Sequence, residues 1–288
     1  MKILLLIDAH SLIYRFFHAL PKLTTPDQEP IQAIYGLTSV LIKILREQKP
    51  DYAAAAFDRP EKTFREEKFA DYKIHRPAAP DELVLQLKRA PEIFSLFNIK
   101  TYDLAGFEAD DLIGTLVEHF RLEPDVKIII LSGDLDVLQL VHNEKIIGQI
   151  IKTGVTNTDF YDENKVIERY GLKPSQLQEY KGLVGDASDN IPGLIGIGPK
   201  TAQELLREFG TLEEIFENLA IISPKTAKKL AGKKEEALFY QDLATIKRNV
   251  PIDLPSLFEL ALNPPDKANL TAYLEKLGFR SLINRLNS

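Results

Sequence analysis

Cysteine is absent from this chain of 288 residues, and methionine occurs only once. The lack of cysteine excludes disulfide bonds and thiolate metal sites. Histidine is also scarce, and its spacing is not that of a zinc site, which argues against a histidine-bound metal. The five histidines are His10, His18, His75, His119 and His142.

Long hydrophobic runs are absent as well. No segment approaches the ~20 consecutive apolar residues that a membrane-spanning helix needs, so we expect no membrane association. The apolar run at residues 2–7 is too short for a signal peptide and is stopped by Asp8. We therefore interpret it as a buried strand and expect a cytoplasmic location.

Positive charge is in deficit, since the formal net charge is −6. Nucleic-acid-binding proteins usually carry a basic face, so this balance at first argues against that class. Two bound divalent cations would add four positive charges and leave a formal −2, and a local basic track could still hold phosphates. Hydrophobic residues make up 44% of the chain, which indicates a folded protein with a substantial core rather than a disordered one.

Four apolar runs have the length and composition of buried strands, and helical patterns lie between them. The runs are residues 3–7, 52–57, 100–104 and 126–131, and the helical patterns are residues 31–48, 82–97 and 112–120. Alternation of strand and helix predicts an α/β fold with a doubly wound, mostly parallel sheet flanked by helices.

Beyond residue 163 the pattern is helical, with glycine and proline between the segments. The predicted helices are residues 163–170, 174–184, 199–209, 212–217, 224–230, 234–248 and 267–277. We therefore predict a catalytic domain at residues 1–160 and a helical subdomain at residues 161–288. The tetrapeptide Pro-Lys-Thr-Ala occurs at 199–202 and again at 224–227, which two helix starts with proline in the first position would also produce.

Acidic residues follow each of the four predicted strands. Because the carboxyl ends of parallel strands meet at one edge of the sheet, these acids should share a crevice. An acid after a strand is also a common N-cap of the next helix, and capping alone would explain Asp111 or Asp136. Capping explains four successive strands less well, so we favour a metal cluster. Its members are Asp8, Asp58, Glu108, Asp110, Asp111, Asp134 and Asp136.

Clustered carboxylates must take up protons or bind cations. Oxygen ligands without cysteine or histidine select hard ions, so we expect Mg²⁺ or Mn²⁺. The number of acids exceeds the needs of one ion, and two ions ~3.5–4 Å apart would suit phosphodiester hydrolysis.

A glycine-rich segment at residues 182–202 resembles a helix–hairpin–helix motif, which we place at residues 182–210. Gly196 and Gly198 would let the backbone approach a phosphate, and the helix that begins near Lys200 would bind it. Such a motif holds the DNA backbone without reading bases. A helical corner that needs glycine for its turn is the structural alternative, which Asp186 and Asp189 nearby make less favoured.

The connection after Asp58 is about 40 residues long, which suggests function. Residues 59–76 contain six Lys or Arg residues with Phe64, Phe69 and Tyr72 among them, as suits single-stranded nucleic acid. A solvated helix with aromatic residues facing the core is the alternative. Tyr14 and Arg15, just beyond Asp8, are similarly placed to contact substrate.

Several motifs, in order along essentially the whole chain, resemble the bacterial and phage 5′ nuclease (flap endonuclease) family. They are Ile-Asp-Ala-His-Ser-Leu-Ile-Tyr-Arg, Ala-Phe-Asp, Phe-Arg, Tyr-Lys-x-x-Arg, Glu-Ala-Asp-Asp, Gly-Asp-x-Asp and Gly-Asp-x-Ser-Asp-Asn-Ile-Pro-Gly-x-x-Gly-Ile-Gly. The closest likeness is to the N-terminal 5′→3′ exonuclease domain of bacterial DNA polymerase I. Ala9 replaces the commoner glycine after the first acid.

The resemblance implies a PIN-like 5′ nuclease fold with a helical arch, here residues 59–98, and a helix-three-turn-helix that binds duplex with a monovalent ion such as K⁺. It implies removal of 5′ flaps and RNA primers from branched or nicked DNA in replication and repair, hence a nucleoid-associated protein. The chain is then either an excised part of a polymerase or a free-standing relative that works beside one. We expect a monomer.

The resemblance also assigns roles to individual residues. The first metal would be surrounded by Asp8, Asp58, Glu108, Asp110 and Asp111, and the second held by Asp134, Asp136, Asp186 and Asp189. Lys73 and Arg76 would engage the scissile phosphate, and Tyr14 would stack on a terminal base. Further DNA contacts are expected from Arg15, Arg65, Tyr72, Gly196, Gly198, Lys200 and Thr201. Catalysis would rest on Asp8, Asp58, Asp110 and Asp134 with Lys73 and Arg76.

Three other functions fit part of the pattern. A phosphatase of the haloacid dehalogenase type needs an aspartate two positions after its nucleophile, where this chain has His10. A PIN-type ribonuclease shares the sheet and several acids but lacks the helical DNA-binding part. A non-catalytic binder of DNA junctions is the main alternative from another class.

Overall fold

A computed structural model describes residues 1–155 and 157–287. Its centre is a six-stranded sheet in the order β3-β2-β1-β4-β5-β6. Neighbouring strands are parallel except β5 and β6, which are antiparallel. The strands are β1 (Lys2–Asp8), β2 (Tyr52–Ala56), β3 (Lys100–Tyr102), β4 (Val126–Ser132), β5 (Ile146–Thr153) and β6 (Asn157–Tyr161). This arrangement confirms the predicted fold class.

Helices cover both faces of the sheet and make up most of the chain after β6. They are α1 (Ala9–Ala19), α2 (Gln32–Gln48), α3 (Phe64–Lys68), α4 (Asp81–Leu96), α5 (Ala109–Phe120), α6 (Glu163–Tyr170), α7 (Leu177–Val184), α8 (Pro199–Phe209), α9 (Leu212–Glu217), α10 (Pro224–Leu230), α11 (Lys234–Ala244), α12 (Lys267–Lys276) and α13 (Arg280–Asn287). Among the described residues, no helix is long and apolar enough to span a membrane.

The strand β1 shows why the sheet is buried on both faces. Leu5 and Ile7 point into a core with α1, α2 and α4, whereas Leu4 and Leu6 point into a core with α5. Successive side chains of a strand face opposite sides, so an uninterrupted apolar run requires cover on both. All four residues are fully buried.

Two strands were not predicted. In β5, Gly148 and Gln149 interrupt the apolar run. Each is explained by a neighbouring side chain, one through close packing and one through a hydrogen bond. A Cβ at Gly148 would lie 2.7 Å from Leu138, and the buried Gln149 accepts a hydrogen bond from Gln48. β6 is largely polar and pairs with β5 at the edge of the sheet, where alternation of apolar residues is not needed.

The helices after residue 163 do not form one separate body. Residues 172–237 supply a third core of their own. By contrast, Ile246 and Val250 pack in the α5 core, and Leu270 and Leu282 of the last two helices pack beside α2. The helical subdomain is therefore inserted between parts of the α/β body, whereas the sequence predicted that it continues to residue 288.

The predicted arch at residues 59–98 is also shorter in the structure. Leu83, Ala90 and Ile93 of α4 are fully buried in the core beside α1 and α2. The segment that stands over the carboxyl ends of the strands is therefore residues 59–80, which contain α3 and a series of turns. The periodic pattern of α4 reflects packing against the sheet.

Candidate active site

A cavity of about 380 Å³ lies at the carboxyl ends of the parallel strands. Its walls come from the ends of β1, β2 and β4, the start of α5, and the segment 59–80. Seven of the predicted acids line it: Asp8, Asp58, Glu108, Asp110, Asp134, Asp136 and Asp189. The fold thus brings together side chains that are far apart in the sequence.

Two serines hold the first acid in place. The Asp8 carboxylate caps α1 by accepting a hydrogen bond from the Ser11 amide at 3.1 Å, and the Ser132 hydroxyl donates to it at 2.7 Å. The Ser132 hydroxyl also accepts from the Asp134 amide at 2.9 Å. Gly133 passes close to α1, where a Cβ would lie 2.9 Å from the Ser11 carbonyl oxygen. The ends of β1 and β4 are therefore locked together.

The start of α5 carries the next acids. Asp58 accepts a hydrogen bond from the Ala109 amide at 2.7 Å, which joins the end of β2 to this helix. Glu108 accepts hydrogen bonds from Tyr72 and Lys73 of the overlying segment. One carboxylate oxygen of Asp110 is buried and has no hydrogen-bond partner in the described part of the chain.

A second group consists of Asp136, Asp186 and Asp189. One carboxylate oxygen from each lies within 4.8 Å of the others. Lys181 of α7 bridges Asp136 and Asp186, and Arg76 contacts Asp189 at 2.7 Å. Among the described residues, the acids around Asp8 and Asp110 do not form so tight a group. The second group is therefore compact, whereas the first is spread along the cavity wall.

Burial sets the charge of these acids. Burial raises the pKa of Asp8, an effect that the hydrogen bonds from Ser11 and Ser132 only partly offset. Burial raises the pKa of Asp110 well above its usual range, and neighbouring Asp111 adds to this effect. A buried carboxylate without a cationic partner favours its protonated form. These two positions therefore call for an added positive charge.

At the other acids, lysine and arginine side chains lower the pKa and so oppose the effect of burial. Burial acts to raise the pKa of Glu108, but Lys73 and Arg65 outweigh it and lower the pKa. At Asp186, burial is likewise outweighed by Lys181, so that the pKa falls to about 2. Burial raises the pKa of Asp136 to about 6 even though it shares Lys181.

The donor set fits a hard divalent ion. The acidic side chains in the cavity wall offer carboxylate oxygens, which suit Mg²⁺ or Mn²⁺, and the wall also includes the imidazole of His10. The oxygen of Asp110 lacks a hydrogen-bond partner, and burial raises the pKa of Asp8. Both observations fit carboxylates that bind a cation. The group of Asp136, Asp186 and Asp189 is close enough to share one ion.

Two predicted site residues require correction. Arg65 is only 2% exposed, and its guanidinium forms two hydrogen bonds with Asp111, at 2.7 and 2.8 Å. Asp111 is itself fully buried, and it also accepts from the Lys247 amide. Neither side chain is part of the cavity wall, and the two are paired with each other inside the protein. The pair joins the base of the arch to α5.

Two further predicted DNA contacts point elsewhere. Tyr72 is 4% exposed, and its hydroxyl donates to Glu108 and Asp189, so its ring lies beneath the surface. The guanidinium of Arg15 donates to the Lys152 carbonyl at 2.6 Å, at the end of β5. We assign both residues to support of the site. Tyr14, in contrast, lines the cavity and stacks on His10 with 5.2 Å between ring centroids.

The glycine-rich hairpin between α7 and α8 is exposed. Gly196 has a φ of +84°, which favours glycine, whereas Gly198 has an ordinary φ of −97° and open space where a Cβ would stand. Gly198 is the N-cap of α8. Lys200 is exposed on the first turn of that helix, and Thr201 follows it half-buried. The backbone at Gly198 is thus open to close approach.

Sequence reasoning missed several residues of the site. Ser11 and Ser132 gave no signal, because isolated serines are common and only the fold joins them. Lys181 precedes Asp186 by five residues, a spacing that would place both near one end of α7. A single lysine on a helix, however, is not a signal of a functional site. His10 was also missed as a site residue; its Nε2 lies 3.5 Å from a carboxylate oxygen of Asp58.

The oxygen-only acidic cluster, at the carboxyl edge of a mostly parallel sheet and beneath Lys73 and Arg76, defines a divalent-metal-dependent nuclease. Residues 3–171 match the family model of the 5′-3′ exonuclease N-terminal resolvase-like domain, and residues 172–268 match that of the 5′-3′ exonuclease C-terminal SAM fold. The chain belongs to the 5′-3′ exonuclease family.

Curated relatives agree with this assignment. The 5′-3′ exonuclease of Aquifex aeolicus is 36% identical over 287 residues, which cover 100% of this chain and 96% of the relative. DNA polymerase I of Caldicellulosiruptor bescii is 41% identical over 285 residues, but the match covers 98% of this chain and 33% of that protein. The chain thus spans about a third of the length of the polymerase relatives it matches.

Solved structures share the fold. T5 5′-exonuclease with bound zinc superposes with a TM-score of 0.71 and 21% identity, covering 99% of this chain and 97% of that one. The catalytic core of Rad2 in complex with DNA substrate gives a TM-score of 0.65 and 19% identity, covering 99% and 92%.

Proposed function

We propose that this chain is a structure-specific 5′→3′ exonuclease and 5′-flap endonuclease that hydrolyses phosphodiesters in DNA and in RNA primers during replication and repair. The observation that carries the proposal is the joint placement of a carboxylate cavity, basic residues above it and an exposed hairpin in one chain. Divalent ions in T5 5′-exonuclease and DNA in the Rad2 core support the same reading.

Two divalent ions, Mg²⁺ or Mn²⁺, are part of the proposal. Asp8, Asp58, Glu108 and Asp110 would hold the first. The second would be held by Asp134 together with Asp136, Asp186 and Asp189, the last three of which form a compact group. When bound, such ions supply Lewis acidity and a nucleophilic water at neutral pH. The serine contacts to Asp8 keep its carboxylate oriented toward the cavity.

The overlying segment supplies the phosphate contacts. Lys73 pairs with Glu108, and Arg76 pairs with Asp189. With these carboxylates engaged by divalent ions instead, both side chains would be available to a phosphate in the cavity. A guanidinium and an ammonium then stabilise the charge that develops on the phosphate oxygens. Tyr14 lines the same cavity and is placed to stack on a terminal base.

The hairpin would hold the duplex. Gly198, Lys200 and Thr201 stand at the start of α8, where exposed amides and one lysine favour a phosphate. The Gly196 carbonyl already accepts a hydrogen bond from the Lys229 ammonium, so a cation is accommodated at this turn. We include a K⁺ ion near the hairpin in the proposal. The partner enzyme is a DNA polymerase, attached or separate, and the chain acts as a monomer in the cytoplasm, at the nucleoid.

A flap-cleavage assay tests the proposal. The chain is incubated with a duplex that carries a labelled 5′ flap, first with EDTA and then with increasing Mg²⁺. We expect cleavage near the junction only when Mg²⁺ is present. Binding without cleavage would favour a junction binder, and cleavage of an RNA flap alone would favour a PIN-type ribonuclease.

A further inference from the structure

A lysine-rich surface lies outside the proposed catalytic cavity. Residues 218–234 contain no acidic residue, although the whole chain has a net charge of −6. We call this surface the lysine patch; it consists of Lys225, Lys228 and Lys229 on α10 and of Lys233 and Lys234 after it. Such a local excess of positive charge in an acidic protein is suited to an anionic partner.

Contacts place the lysine patch beside the hairpin. The Lys229 ammonium donates to the Gly196 carbonyl at 2.6 Å. Its aliphatic stem also packs there, since a Cβ at Gly196 would lie 3.2 Å from Lys229 Cε. Lys225 is one helical turn before Lys229 and therefore shares its face of α10. The patch is thus continuous with the turn that precedes α8.

Most of this charge is not neutralised within the protein. Lys225 and Lys228 are exposed, and neither forms an ion pair within the described residues 1–155 and 157–287. Lys233, by comparison, pairs with Glu236. Like charges three residues apart on a helix are unfavourable for folding. Packing therefore does not account for Lys225 and Lys228, although Lys228 lies in the last turn of α10, where a cation interacts favourably with the helix dipole.

The repeated tetrapeptide relates the patch to the hairpin helix. The helix α8 begins Pro199-Lys200-Thr201-Ala202, and α10 begins Pro224-Lys225-Thr226-Ala227. Lys200 and Lys225 therefore occupy the same position of two helices that meet at the hairpin. If the first lysine is set toward a phosphate, the second is available to a phosphate further along the same duplex.

We propose that the lysine patch is an extension of the duplex-binding surface, which contacts backbone phosphates of double-stranded DNA beyond those held at the hairpin. This inference rests on the proposed function, because it assumes that the hairpin holds duplex. Contacts from lysine to phosphate carry no sequence preference, and each releases a counterion from the DNA. The patch therefore contributes affinity that falls with salt.

The test compares two double variants of matched charge. Lys225→Gln/Lys228→Gln removes two patch lysines, and Lys267→Gln/Lys276→Gln removes two exposed lysines of α12, a helix that packs in the core with α2. Fluorescence anisotropy measures the affinity of each for a 5′-flap substrate with a long downstream duplex, in EDTA at 50 and 200 mM salt. With a slope of ~0.9 per contact, wild type should lose about 12-fold more affinity over this range than the patch variant. The α12 variant should behave as wild type.

The outcomes separate this inference from the proposed function. Equal salt dependence of the patch variant and wild type overturns the patch while leaving the nuclease intact. A wild-type chain that binds duplex but cuts no flap overturns the proposed function, and a reduced slope in the patch variant still supports the patch. Lys225→Arg/Lys228→Arg must restore the wild-type slope. Failure of that rescue in a folded variant also contradicts a role in phosphate contact.

Discussion

Replacing Arg65 by methionine should destabilise the protein strongly without removing a contact to DNA. Arg65 lies at the base of the arch with a side chain that is 2% exposed. Its guanidinium donates five hydrogen bonds, to the Leu243 and Thr245 carbonyls and to the carboxylates of Glu108 and Asp111. Methionine fills much of the same volume but leaves these acceptors without their donor.

The size of the effect follows from the burial of Asp111. Its side chain is 0% exposed, so after loss of Arg65 its charge can neither reach water nor find another cationic partner of equal geometry. Removing one partner of a buried ion pair typically costs about 3–5 kcal/mol. The exposed pair of Arg59 with Glu61 provides the comparison, because an ion pair in contact with solvent contributes little to stability.

Urea unfolding measures both variants. We expect Arg65→Met to lose about 3–5 kcal/mol of unfolding free energy and Arg59→Met to lose far less. Adding Asp111→Asn to Arg65→Met should recover part of the loss, because the orphaned charge is removed. A loss below about 1 kcal/mol for Arg65→Met, or no recovery in the double variant, would refute the reasoning.

Three further predictions concern the site and the hairpin. Asp134→Ala should abolish flap cleavage while duplex affinity, measured by anisotropy, changes little; full turnover in this variant would remove Asp134 from the site. Lys200→Ala should weaken duplex binding and reduce its salt slope by about one unit, and an unchanged slope would argue for a structural corner. Gly198→Ala should alter thermal stability by at most about 1 kcal/mol, since φ is −97° and the space is open, yet weaken duplex binding. Unaltered binding in that variant would show that DNA does not approach this backbone closely.

The central strands were predictable because they are buried on both faces. The run that forms β1 must be apolar at every position, and such a run stands out in a sequence. β5 and β6 lacked this signal. The buried Gln149 of β5 is satisfied by Gln48 from a helix about a hundred residues earlier, and no local pattern reveals such a partner. The packing of α12 and α13 in the core with α2 likewise depends on tertiary contacts, which no local sequence pattern reveals.

The acids were predictable for a different reason. Parallel strands end at one edge, so acids that follow successive strands converge whatever the length of the connections. The direction of each side chain was not predictable in this way. Arg65 and Asp111 lie in motifs that suggest contact with DNA and metal, yet they satisfy each other inside the protein. Charge neutralisation between two segments depends on packing that the sequence does not display.

The insertion of the helical subdomain into the α/β body has a mechanical consequence. The subdomain is tethered at two points, where the chain enters it after α6 and where it leaves after α11, and the second tether is fastened by Arg65 through the Leu243 and Thr245 carbonyls. Two anchors suppress the swivelling that a single linker would allow. On the proposed function, a fixed separation between the hairpin and the acidic cavity would set the distance between the bound duplex and the point of strand scission.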